Sequence, residues 1–355
     1  MGDAVTPAVV AVVGGVVIGL AAFAVFVAIS YRRYGRLEAR QVLAWFGFVI
    51  YFLAIWTYTL LPLPAPGTAQ CVQPQLDPLF VFTDVLNYPH SSFSQLIRNP
   101  VILQNGLNVV LFMPLGLFVR ALFGRGWVTT VAVGACWSLF VETTQLTGVW
   151  GLYECAYRVF DVDDLLTNTL GALIGGLIVA PLPKRWFAPK RLPHDEPAPV
   201  TLGRRLVAMA CDGLVTVFLA VATAIASQTW QAVVMGLPPE QISDSATRWL
   251  MWGVPLAVQA LCIIVSGRSV GDLATELRWE PERPNMVWHR FGRFVGGIGG
   301  FQLLGLPGGR WSFVQGAFVG LVLVLAVVAR SRGGLPGLLS GQVLADARGE
   351  QRTRC

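Results

Sequence analysis

Apolar residues run along this chain in nine blocks, at 5–30, 42–63, 101–119, 127–147, 165–181, 206–228, 249–265, 291–306 and 311–329. A helix needs roughly 20 apolar residues to cross a hydrocarbon core. The pattern therefore predicts an all-α fold, a polytopic integral membrane helical bundle of about nine transmembrane helices. The eighth block is the shortest and has the least defined ends. Polar punctuation falls mainly in two places. One is the segment 64–100, rich in Pro, Ser and Asn, whose Phe80, Phe82, Tyr88 and Phe93 suit a membrane interface. The other is PLPKRWFAPKRLPHDEPAP at 181–199, whose prolines cannot continue a helix. The expected organisation is a transmembrane domain over 1–183, a proline-rich cytoplasmic linker over 184–202, a second transmembrane domain over 203–347 and a cytoplasmic tail over 348–355.

Inside the blocks, polar and small residues recur at helical spacing. Asp161, Asp164, Asn168, Gly171 and Gly175 are spaced 3, 4, 3 and 4, which makes one continuous stripe on a helix, polar at its start and small further on. Carboxylates suit the positive end of a helix dipole, and the glycines permit a close helix neighbour. Asn105 and Asn108 form an i,i+3 pair in the third block, followed by Pro114 and Gly116, which can kink or thin that helix. Glu142 and Gln145 form a second i,i+3 pair in the fourth block. Counting 1.5 Å per residue puts Asn108, Glu142 and Asn168 within one to three turns of the same membrane surface. A carboxylate near a helix centre costs about 2.5 to 3.5 kcal/mol on insertion scales, so Glu142 should face protein, water or a partner, and Arg158 is available as that partner. These residues are expected to line one pocket open to the outside, with Arg158 at its rim. A buried ion pair that only fixes helix packing is the competing explanation.

Charge orients the chain. Hydrophobic residues are 54% of the 355 and charged residues 13%. Placing the N-terminus outside puts every Lys and Arg in the cytoplasm except Arg98, Arg158, Arg248 and Arg310, as the positive-inside rule requires. The expected location is the cell membrane, multi-pass, with the C-terminus cytoplasmic. The net charge of +6 then needs no nucleic acid to explain it. Lys184 and Lys190 are the only lysines, which points to a GC-rich coding sequence and a bacterium. The first block lacks a basic n-region, carries Asp3 and is too long for a signal h-region, so it should remain on the protein.

Cys71 and Cys155 are the cysteines in expected outside loops, one before the third block and one after the fourth, where they can form a disulfide or stay as two free thiols. No Cys/His spacing suggests a metal, and no cofactor is expected. In the second domain, Arg205 and Asp212 are seven apart and face the same way two turns apart. Gly267, Ser269 and Gly271 match a nucleophile pattern but lack the strand, helix, His and acid it needs, so they read as a turn. GGIGG at 296–300 is better explained by close helix packing than by phosphate binding.

NVVLFMPLG at 108–116, the Glu142/Gln145 pair and R-x-x-D-x-x-D-x-x-x-N-x-x-G-x-x-x-G from Arg158 to Gly175 together resemble the VanZ-like family of bacterial membrane proteins. The second domain resembles an RDD-type membrane domain in RRLVAMACD at 204–212, in SGRSVGDLATELRW and in SRGGLPGLLSGQVLA at 331–345. It departs from that pattern where Gly337 stands in place of an Asp, and where Asp272 occupies a position at which Lys is common. The first resemblance implies a part in resistance to the glycopeptide teicoplanin, and the second a loose association with transport. Three functions follow. The leading one is a non-enzymatic envelope protein, in contact with the lipid bilayer, that binds a lipid-linked or amphiphilic ligand in an outer-leaflet polar pocket. The second is a membrane enzyme with Glu142 or Asp164 as acid or base. The third is a transporter using Glu142 and Asp212. The absence of a nucleophile beside a base favours the first, and oligomeric state stays open.

Overall fold

The computed structural model describes residues 2–65, 67–183, 192, 197–280, 286–306, 312–329 and 332–348. Most of the expected linker and tail lies outside the described residues. The chain divides into two compact units, Met1–Val17 with Leu43–Lys190, and Ile18–Val42 with Arg191–Cys355. The early segment Ile18–Val42 thus groups with the second unit rather than with the first 183 residues.

In the first unit lie α1 (Gly2–Ala21, whose last residues pass into the second unit), most of α3 (Ala39–Leu60), α4 (Pro100–Ala121), α5 (Trp127–Leu146) and α6 (Val162–Val179). The second holds α2 (Phe23–Tyr34), α7 (Leu202–Thr229), α8 (Asp244–Ser266), α9 (Val270–Ala274), β1 (Leu277–Glu280), α10 (Met286–Gly296), α11 (Ile298–Leu304), α12 (Ser312–Val328), α13 (Gly334–Ser340) and β2 (Val343–Asp346).

The molecule is a helical membrane protein, and among the described residues fewer than nine helices are by themselves long and apolar enough to cross a membrane. Five helices are long and apolar enough to cross a membrane, α3, α4, α6, α7 and α8, and a sixth is present if the pair α1 and α2 counts as one broken span. Each shortfall has a local cause. The first block breaks at Ala22. Helix α5 has the length, but Thr129, Thr130, Ser138, Glu142, Thr143, Thr144 and Gln145 make it less apolar. The eighth block splits at Gly297, whose φ of −117° and ψ of −139° are not helical, leaving α10 and α11 each short of a membrane width. The ninth, α12, is apolar but only 17 residues long. The fold also includes two strands, with β1 antiparallel to β2 and Leu277 opposite Asp346. They close a small buried cluster of Ala208, Leu277, Trp279 and Leu344.

Helix ends follow local chemistry. The Asn99 side chain caps α4 by accepting the Val101 N–H, with Pro100 in the first turn where a missing N–H costs nothing. Asp161 caps α6, Thr201 caps α7 and Ser243 caps α8, each accepting a backbone N–H of its first turn. Helices α4 and α6 meet backbone to backbone. An added Cβ at Gly171 would fall on the Val109 carbonyl, at Gly175 on the Met113 carbonyl, and at Gly116 on the Ala172 carbonyl. Between α3, α4 and α5, Ile55, Phe112, Leu115, Val119 and Val141 are buried together. Phe52 and Trp56 of α3 pack on Trp137 of α5, with ring centroids 4.5 and 5.6 Å away.

Pro114 removes a donor from α4, and the ladder is repaired one residue later by Tyr51 of α3. Its hydroxyl donates to the Leu111 carbonyl at 2.7 Å and accepts the Leu115 N–H at 3.1 Å, so it sits between a donor and an acceptor four residues apart. Tyr51→Phe leaves both groups without that partner and is expected to cost about 1 to 3 kcal/mol, read as a lower unfolding temperature of the purified chain.

Candidate functional site

At the start of α6 the chain presents Asp161, Asp163 and Asp164 within one turn. Asp161 is the cap, its Oδ1 accepting the Asp163 N–H at 2.8 Å. Asp164 faces α4 and accepts from Asn108 Nδ2 at 2.6 Å. From α5, buried Glu142 turns its Oε2 to the Asp161 N–H at 3.1 Å. One turn further along α6, buried Asn168 donates from Nδ2 to Ser138 Oγ at 3.0 Å, and its Oδ1 meets no donor among the described residues. Ser138 and Glu142 on α5 therefore face Asp164 and Asn168 on α6, each pair one turn apart. The cluster runs from half-buried Asn108, Asp161 and Asp164 to buried Glu142, Ser138 and Asn168.

Other residues of the expected pocket make different bonds. Arg158 donates to the Leu61 carbonyl at 2.6 Å, so the group that meets Glu142 is a backbone N–H and not the guanidinium. Gln145 donates to the Thr59 carbonyl at 2.9 Å and ties α5 to the end of α3. Asn105 turns back to the Val101 carbonyl of its own helix at 2.9 Å. Among the described residues none of Glu142, Asp161, Asp163 and Asp164 is in an ion pair. Burial pushes the Asp161 carboxyl above the usual carboxylate range; the bond from the Asp163 N–H offsets part of this, and the Asp163 and Asp84 carboxylates add to it. Among the described residues no group of three or more His, Cys, Asp or Glu side chains is disposed to hold a metal ion.

The segment between α3 and α4 is fastened over this cluster. Cys71 and Cys155 are disulfide-bonded, with Cα atoms 5.5 Å apart. Beside the bond, the Val72 N–H reaches the Ala156 carbonyl, the Gln75 N–H the Phe160 carbonyl, and the Val162 N–H the Gln75 carbonyl. Asp163, which sequence reasoning passed over, is 4% exposed and accepts the Leu79 and Val81 N–H groups at 2.6 and 2.7 Å. It anchors a turn of helix whose Phe80 and Phe82 point outward, as do Tyr88 and Phe93 further on. Tyr153 and Tyr157 donate to the carbonyls of Pro64 and Leu60.

The second unit has its own buried polar network, spread over residues far apart in sequence. Arg204 bonds the Thr275 and Glu276 carbonyls and pairs with Asp346 at 2.8 Å. Arg348 meets the other Asp346 oxygen at 2.8 Å. Burial alone would raise the Asp346 carboxyl, but these two arginines and the Ala198 N–H outweigh it and hold the group at about 2. Arg205 pairs with Asp272 at 2.8 Å, and Trp279 Nε1 donates to the same carboxylate at 2.9 Å. Asp212 accepts from Ser269 Oγ and from the Gly271 N–H, both at 2.7 Å. Arg205 and Asp212 thus both reach the turn around 269–272, where Ser269 caps α9. Gly337 packs under Trp279, with an added Cβ 3.4 Å from its ring.

Compared with known proteins, residues 48–183 match the family model of VanZ/LLP1. The match runs from α3 through α6 and contains every residue of the polar cluster, so the N-terminal part carries a VanZ-like domain. No curated protein and no solved structure matches this chain.

Proposed function

We propose that the VanZ-like unit is a non-enzymatic binder of a lipid-linked or amphiphilic envelope molecule, whose polar head enters between Asn108, Asp161 and Asp164 and reaches toward Glu142 and Asn168. The observation that carries this reading is a set of carboxyl groups at the meeting of three helices, without a cation among the described residues to neutralise them. Such groups are costly in a membrane and mark ligand or ion paths. A head bearing ammonium, amide or hydroxyl donors would satisfy them. Exposed Phe80, Phe82 and Phe93 support a loop seated at the membrane interface, where an amphiphile arrives. The family resemblance extends this to a contribution to teicoplanin-type resistance.

The experiment is expression in a teicoplanin-susceptible bacterium. The chain should raise the inhibitory concentration of teicoplanin, and Glu142→Gln should abolish the rise at equal membrane content. Equal protection by the variant would return Glu142 to a packing role.

Counted over nine crossings, the basic residues support an N-terminus outside and a C-terminus in the cytoplasm, in the cell membrane of a bacterium. A disulfide between Cys71 and Cys155 fits an oxidising outer side. Intact cells treated with a membrane-impermeant thiol reagent should show no label at either cysteine before reduction and label at both after it. Label before reduction contradicts the bond, and silence after it contradicts the orientation. The second unit we assign as RDD-type, on Arg204, Arg205 and Asp212, with Asp272 serving as the partner of Arg205.

A further inference from the structure

The polar cluster of the first unit has acceptors to spare. Asp161 Oδ1 is taken by the Asp163 N–H, Asp164 Oδ1 by Asn108 Nδ2, and Glu142 Oε2 by the Asp161 N–H. The other oxygen of each carboxylate takes no hydrogen bond among the described residues, and none of these three atoms is sealed off from solvent. Glu142 lies close enough to Asp161 and Asp164 for their charges to repel, as do Asp161 and Asp164 themselves. Asp84, on the turn that Asp163 anchors, adds a further carboxylate near Asp161. One turn deeper in the seam between α5 and α6, Asn168 is 3% exposed and its Oδ1 also lacks a donor.

Charge balance narrows the ligand. The N-terminus of α6 supplies the equivalent of about half a positive charge, too little for three carboxylates. No cation among the described residues pairs with them, and Arg158 is turned to the Leu61 carbonyl. The carboxylates are not disposed to close on a metal ion. A hydroxyl or amide head would fill the acceptors but leave the charges uncompensated, which is costly in a membrane. A primary ammonium brings one positive charge and three N–H donors, one for each unbonded oxygen. A quaternary ammonium brings the charge without the donors.

We propose that the head of the bound amphiphile is a primary ammonium, donating to Asp161 Oδ2, Asp164 Oδ2 and Glu142 Oε1. This names the ligand class of the binding site proposed above and rests on that reading. Phosphatidylethanolamine and an aminoacyl phosphatidylglycerol share the chemistry and are the two sources to be separated.

The purified full chain is titrated in detergent with phosphatidylethanolamine, lysyl-phosphatidylglycerol, phosphatidylcholine or phosphatidylglycerol, and bound lipid is counted by native mass spectrometry. At least one of the two amine lipids should bind about tenfold more tightly than the other two lipids, roughly what one hydrogen bond to a charged group is worth. Whichever amine lipid shows the gain identifies the source. Asp164→Asn keeps an acceptor for Asn108 and removes a charge, so it should erase the preference. Equal affinity for all four lipids, lowered alike by Glu142→Gln, would overturn the ammonium head while leaving the cluster a binding site, as would an undiminished preference in a folded Asp164→Asn protein. Affinities that Glu142→Gln leaves unchanged would overturn the binding reading itself. The comparison of heads on the native chain keeps the test decisive where a variant fails to fold.

Discussion

Gly175→Ala is expected to destabilise the first unit by about 3 kcal/mol, at the top of the usual overpacking range. The added methyl falls on the Met113 carbonyl, an atom of the α4 backbone, so no side-chain rotation can relieve it and the two helices must separate. Alanine gains up to about 1 kcal/mol over glycine as a helix former, which is too little to offset the overlap. Gly106→Ala on α4 is the matched control. Nothing lies within 4 Å of its added Cβ, so that variant should be neutral or slightly stabilised. Thermal unfolding of the two purified proteins in one detergent checks the difference, and equal unfolding temperatures would remove the close α4–α6 crossing from the account.

Arg205→Met should cost more, about 3 to 5 kcal/mol, because it strands Asp272 as an unpaired buried charge. The side chains of this pair are 6% and 4% exposed, so water cannot take over the lost interaction. The loss comes mostly from the charge left behind, so Arg205→Met combined with Asp272→Asn should be markedly less damaging than the sum of the two single changes. Additive losses in that double-mutant cycle would mean that the two groups do not act as a pair.

Hydropathy alone made the helical membrane class legible, since long apolar runs with few charges admit little else. It could not show where a run breaks. The Ala22 break sits inside an unbroken apolar stretch, and the Gly297 break differs from the helical Gly299 and Gly300 nearby only through its neighbours. The strands escaped notice because Leu277–Glu280 is four residues long and pairs with a segment more than 60 residues away. For the site, spacing points to one face of α6 but not to what meets that face. Asp163 lies off the stripe and binds a loop 82 to 84 residues earlier, and Tyr51 enters α4 from 60 residues away. The tie between Arg205 and Asp272 spans 67 residues. Partners of this kind are set by tertiary packing, and no local pattern encodes them.

The central claim, that the polar cluster of the VanZ-like unit holds an envelope amphiphile without converting it, is tested most directly by what the protein carries. The native chain and Glu142→Gln are purified from the same membranes, incubated with a lipid extract, and their bound lipids identified by mass spectrometry. The expected result is a lipid-linked or amphiphilic species enriched on the native chain, chemically unchanged and depleted on Glu142→Gln. A converted product would make the protein an enzyme, and identical lipids on both proteins would contradict a ligand role for the cluster.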